Sequence, residues 1–121
     1  MQENSALGRT LDLVRDLRAR CPWDRVQTRS TLRPYLVEEV LELDEALAAG
    51  EPERIRDEVG DLLLHLAWQF VLAEESAEFT PDDAADRLIA KMRRRHPHLF
   101  DLGPPESCDT LKRRDSERGT L

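Results

Sequence analysis

Two pairs of acidic residues carry the strongest chemical signal in this sequence. Glu39 and Glu42 stand in 35-YLVEEVLELDEAL-47, and Glu58 and Asp61 stand in 57-DEVGDLLLH-65, each pair spaced i, i+3. On a helical wheel Glu39 falls roughly 60° and Glu42 about 120° from the centre of an apolar stripe, on one flank, whereas Glu45 points away and Glu38 nearly so. Glu58 and Asp61 edge a second apolar stripe in the same way, with His65 beside them. A lone Glu-x-x-Glu is ordinarily a solvated face; two such pairs edging apolar stripes are harder to explain so. Carboxylates that converge beside apolar residues repel one another, and two sharing a site already push one pKa up. A hard divalent cation such as Mg²⁺ offsets that charge, because it takes oxygen ligands and keeps water or substrate phosphate in the rest of its shell. The set holds no Cys, and His65 is not at a Glu-x-x-His spacing, which argues against zinc and against a di-iron centre.

The elements that must position these acids are helices. Leu7, Leu11, Val14 and Leu17 recur at helical spacing and predict a first helix over about 6–20. The stretch 21-CPWDRVQT-28 breaks it, since Pro22 disfavours helix at Cys21. A second helix is expected from near Thr31, capped by Ser30 or Thr28, with the stripe Leu32, Leu36, Val40, Leu43, Leu47, and it stops at Gly50. Pro52 opens a third over about 53–74, apolar nearly all round from Leu62 onward. A fourth opens at 80-TPDD-83 with Thr80 as cap, carries Ala85, Leu88, Ile89 and Met92, and ends at Pro97. Glu42 and Glu58 are each eight residues from Gly50, and Glu39 and Asp61 each eleven. Helices joined by so short a link are antiparallel neighbours, so Glu39 is expected to face Asp61 and Glu42 to face Glu58.

The 121 residues suit one domain, 36% charged and only 5% aromatic, rich in Leu, Ala, Glu and Arg. The reading is an all-α antiparallel bundle of about four helices over 1–100, with a polar, partly disordered tail over 101–121. Four helices cannot cover an element that is apolar all round, so a second subunit is expected to complete the bundle. The formal net charge of −7 disfavours stable nucleic-acid binding. No run is long enough to span a bilayer, the N-terminus has no signal pattern, and Cys21 and Cys108 lack metal spacing; both thiols are read as reduced, in a cytoplasmic protein.

At this point the residues resemble a known family. The blocks 38-EEVLE-42 and 58-EVGD-61 are similar to the paired EExxE and ExxD motifs of the MazG family, all-α nucleoside triphosphate pyrophosphohydrolases; 21-CPWDRVQT-28, 34-PYLVEE-39 and 94-RRHPHLF-100 extend the likeness over about 7–100. The resemblance implies Mg²⁺-dependent hydrolysis of nucleoside or deoxynucleoside triphosphates to the monophosphate and pyrophosphate, with Mn²⁺ as a substitute ion and nucleotide-pool clean-up as the role. It implies Glu39, Glu42, Glu58 and Asp61 as metal ligands, Glu39 also as a catalytic carboxylate, and Glu38 as an outer residue on a metal-bound water. It further implies a homodimer or a dimer of dimers.

With no Gly-rich phosphate loop, side chains must grip the triphosphate: Lys91, Arg94 and Arg95 are candidates, although bases in a last helical turn also suit the dipole. Trp23 either stacks on a base or plugs the core. His65 either meets a ligand or is a satisfied core histidine. Two other readings stand beside this one. One is a related all-α pyrophosphatase of the dUTPase or phosphoribosyl-ATP pyrophosphatase type, against which the CPWD and RRHPH blocks weigh. The other is a non-catalytic oligomerisation or regulatory module.

Overall fold

Every long helix begins on a residue that satisfies its first orphan N–H groups or does without one. In the computed structural model, which describes residues 5–100, α1 spans Ala6–Arg20, with Ser5 accepting from the Gly8 N–H at 2.9 Å. It stops at Cys21, which is extended ahead of Pro22. The next long helix, α3 (Arg29–Ala49), opens on a capping box in which Thr28 and Thr31 satisfy each other's backbone N–H. Its C-terminus is closed by Gly50 in the left-handed region, φ 77°, whose N–H donates to the Ala46 carbonyl at 3.0 Å. Pro52 is the first residue of α4 (Pro52–Glu75), and Thr80 and Asp83 form the capping box of α5 (Pro81–Arg95).

Two single-turn helices correct the expectation of about four elements. The CPWD stretch is not merely a break: Pro22–Arg25 form α2, with Pro22 at its start. Pro97 ends α5 but opens α6 (Pro97–Phe100), so the described residues hold six helices and no strand. Proline cannot prolong a helix, yet its fixed φ suits the first turn of a new one, and this explains both. The expected tail over 101–121 lies outside the described residues.

The described residues divide into two units between Phe79 and Thr80. In the first, α4 is the central element, packed along α3 and against α1, while α2 lies on α1. Its core joins Leu11 and Val14 of α1, Leu32 of α3, and Ala67, Trp68, Val71 and Leu72 of α4, with Leu7, Leu64 and Phe70 packed beside them. This core sits at one end of the α3–α4 pair. At the other end Ala46 is buried, but Val40 and Leu47 of the expected stripe are about half exposed, because α4 alone covers that face. Likewise α4 is buried over Ala67–Ala73, apart from half-buried Gln69 and Phe70, while Leu62–Leu64 are only half-buried. The second unit pairs α5 with α6 and carries Arg93 over the Phe100 ring.

Arg18 of α1 ties α2 and the residues after it to α4. One guanidinium nitrogen donates to the carbonyls of Asp24 (2.9 Å) and Gln27 (2.7 Å), the others pair with Glu75 (2.9 Å), and the group lies over the Trp68 ring. Gln27, itself buried, donates to the Trp23 carbonyl at 2.9 Å. Removing a charged donor from two carbonyls leaves both without it, so Arg18→Ala should lower stability by roughly 2 kcal/mol. A urea titration followed by far-UV circular dichroism checks this; an unchanged midpoint would show the clamp to be idle.

Candidate metal centre

The site is built on the α3–α4 hairpin, and its rungs are visible in the side-chain pairs. Nearest the turn, Glu45 meets Arg54 at 3.5 Å. One turn on, the Glu42 carboxyl lies against Glu58, close enough for the two to share a proton. Beyond it, carboxylate oxygens of Glu39, Glu58 and Asp61 all lie within 4.8 Å of one another. Glu39 and Glu58 are half-buried and Asp61 is exposed.

The electrostatic strain of this cluster is concentrated on two groups. Glu39 is pushed up to about 7, first by burial and then by the charges of Glu42, Asp61, Glu58 and Glu38. Glu58 is also raised, by burial and by Glu42 and Asp61, with Arg54 opposing. Among the described residues none of Glu39, Glu42, Glu58 and Asp61 has an ion pair with a Lys or Arg. Glu39 Oε2 and Glu58 Oε2 are shut away from solvent with no hydrogen-bond partner. Orphaned carboxylate oxygens in a set made only of oxygens fit a hard divalent cation.

The other residues singled out by sequence fall in several places. Glu38 is exposed on α3 and touches the cluster only through its charge on Glu39. Trp23 on α2 is 52% exposed, with its ring edge against Tyr35 at 5.9 Å, so it is not a core plug. Tyr35 lies one turn before Glu39, and the i, i+4 spacing is the sequence signal that marks it. His65 lies one turn beyond Asp61, half-buried, with Nδ1 buried and without a partner, so it is not a satisfied core histidine. Burial lowers its pKa, and the Asp61 charge works against that. Lys91, Arg94 and Arg95 lie on α5 in the second unit: Lys91 half-buried, Arg94 exposed and Arg95 buried.

Residues 27–100, which contain both acidic motifs, match the family described as the MazG nucleotide pyrophosphohydrolase domain. The chain belongs to the MazG family. The MazG relatives include a nucleoside triphosphate pyrophosphohydrolase/pyrophosphatase of Thermotoga maritima, 42% identical over 84 residues, which covers 69% of this chain and 33% of the relative. A nucleoside triphosphate pyrophosphohydrolase of Escherichia coli K12 is 34% identical over 114 residues, 93% of this chain and 43% of that protein. A third, from Mycobacterium tuberculosis, is 38% identical over 101 residues, 82% of this chain and 31% of that one. The chain thus spans from about a third to two fifths of the length of these MazG relatives. No helix among the described residues is long and apolar enough to cross a membrane.

Proposed function

We propose that this MazG domain hydrolyses nucleoside or deoxynucleoside triphosphates to the monophosphate and pyrophosphate, with Mg²⁺ held by Glu39, Glu42, Glu58 and Asp61. The observation that carries the reading is the convergence of Glu39, Glu58 and Asp61 oxygens, with orphaned oxygens among them, on one face of the hairpin. Zinc fits less well, since no sulfur or ring nitrogen joins the set. When bound, a divalent cation supplies charge neutralisation for phosphate oxygens and lowers the pKa of water.

The chain's own groups do the rest. Phosphoanhydride hydrolysis needs mostly positioning and electrostatic stabilisation. Glu39, half-buried on the site face, is proposed to take a proton from an attacking water. Glu38, exposed beside it, orients that water. Trp23 and Tyr35 offer an aromatic edge one turn from the carboxylates on which a nucleobase stacks. Lys91, Arg94 and Arg95 are proposed to neutralise phosphate charge. The test is a product assay over the ribo- and deoxynucleoside triphosphates, dUTP included: pyrophosphate release that depends on Mg²⁺ or Mn²⁺ supports the reading, and release of orthophosphate alone defeats it.

A second copy of the chain is the proposed cover for the apolar flank of the hairpin, giving a homodimer or a dimer of dimers. Val37, Val40, Leu41 and Leu47 of α3 and Val59 and Leu66 of α4 are each 46–60% exposed. Leu41, at 60%, is the most exposed of them. Leu41→Lys should therefore shift the solution mass toward the 13.9 kDa monomer, as read by light scattering. A wild-type chain that already runs as a monomer would remove the proposal.

A further inference from the structure

His65 is the polar group on the site face whose chemistry the metal reading leaves unused. Seven residues after Glu58 and four after Asp61, it projects from the same side of α4 as both. It is fifteen residues after Gly50, and Tyr35 is fifteen before, so in the antiparallel hairpin the two stand at one level. That level is one turn, about 5.4 Å, beyond Asp61 and away from the Gly50 turn. Trp23 reaches the same level through its contact with Tyr35. An imidazole, a phenol ring and an indole therefore adjoin the carboxylates on their core side.

Nδ1 of His65 is buried with no partner, so Nε2 is the ring nitrogen left to meet a ligand. In the neutral ring one nitrogen donates and the other accepts, so Nε2 donates in the tautomer that leaves the buried Nδ1 as the acceptor. His65 then presents one N–H donor at the level of Tyr35. A triphosphate held through a cation at the carboxylates extends its sugar and base away from the phosphates by about this much; the sugar carries oxygen acceptors, and so does every base but adenine.

The geometry points to His65 as a specificity-determining residue that donates through Nε2 to an oxygen of the nucleoside part of the substrate. This rests on the metal reading above, because the carboxylates set where the phosphates lie. His65 contacts the end of the nucleotide that pyrophosphate lacks.

Calorimetric titration in Mg²⁺ with nucleoside monophosphates and, separately, with inorganic pyrophosphate separates the two ends. His65→Ala should weaken monophosphate binding about tenfold and leave pyrophosphate binding unchanged. His65→Gln, whose amide nitrogen reaches the Nε2 position, should bind monophosphate within about threefold of wild type. Equal loss of both ligands in His65→Ala, or loss of neither, would overturn the assignment of His65 alone. Absence of pyrophosphate binding by the wild type, with or without Mg²⁺, would overturn the metal reading beneath it.

Discussion

Asp61→Asn should reduce pyrophosphate release by about a thousandfold while the helical fold persists. Asp61 is the exposed member of the oxygen triad, and the substitution keeps its size while removing its charge. Charge stabilisation by a bound cation is worth several kcal/mol, and each 1.36 kcal/mol is tenfold in rate. Glu39→Gln should be at least as damaging, since Glu39 is also the proposed proton acceptor. The same changes relieve repulsion in the metal-free chain, because Asp61 is among the charges that raise Glu39 and Glu58. The expected signature is therefore paired: lost turnover with an unchanged or higher unfolding temperature. A variant with wild-type pyrophosphate release would show that the acids are an ordinary solvated face.

Mg²⁺ should raise the thermal midpoint by roughly 10 °C at a hundredfold excess over its dissociation constant. Such an excess contributes about 2.7 kcal/mol by mass action, and domains of around this size gain about 4 °C or more per kcal/mol. The gain should grow with pH, and the sign follows from Glu39. Its folded pKa, about 7, lies above its ordinary 4.5. Between those values the folded chain binds a proton that the unfolded chain has released, so the metal-free protein loses stability as pH rises through the window. Glu58, raised in the same direction, adds to the slope. Glu74 and Glu78 are lowered by their bonds to Arg15 and Arg29, so their contribution is lost only as pH falls below the ordinary carboxylate range. Melting curves in EDTA and in Mg²⁺ at about pH 5 and about pH 7.5 read the effect. Equal midpoints with and without the ion at the higher pH would sink it.

Much of this architecture is legible in the sequence because short-range rules decide it. Thr28, Gly50, Pro52 and Thr80 punctuate the long helices through local backbone chemistry; Gly50, Pro52 and Thr80 act where expected, and of the two caps offered for α3 it is Thr28, so the helix starts at Arg29 rather than near Thr31. The mirror placement of the acids about Gly50 is a counting argument, and Glu42 does lie against Glu58. What sequence could not supply is what depends on three-dimensional packing. The single turns α2 and α6 are too short to show periodicity, and α2 is held by the Arg18 contacts with Asp24 and Gln27, which span six and nine residues. The half-exposed Val40 and Leu47 look like core on a wheel, because a wheel shows a stripe and not its cover. The orphaned Nδ1 of His65 is a statement about neighbours that no spacing encodes.

Leu11, Val14, Leu32, Trp68 and Val71 anchor the hairpin at its open end, while Glu42, Glu58, Leu41 and Leu47 lie toward the turn. Local opening costs least where buried apolar contacts are fewest. The hairpin is thus an anchored base with a compliant tip, and a cation at the carboxylates and a partner on Leu41 and Leu47 would both add their contacts on the tip side of that base. Occupying either one would tighten the backbone on which the other depends, so nucleotide turnover and subunit assembly would rise and fall together without any signal passing through the core.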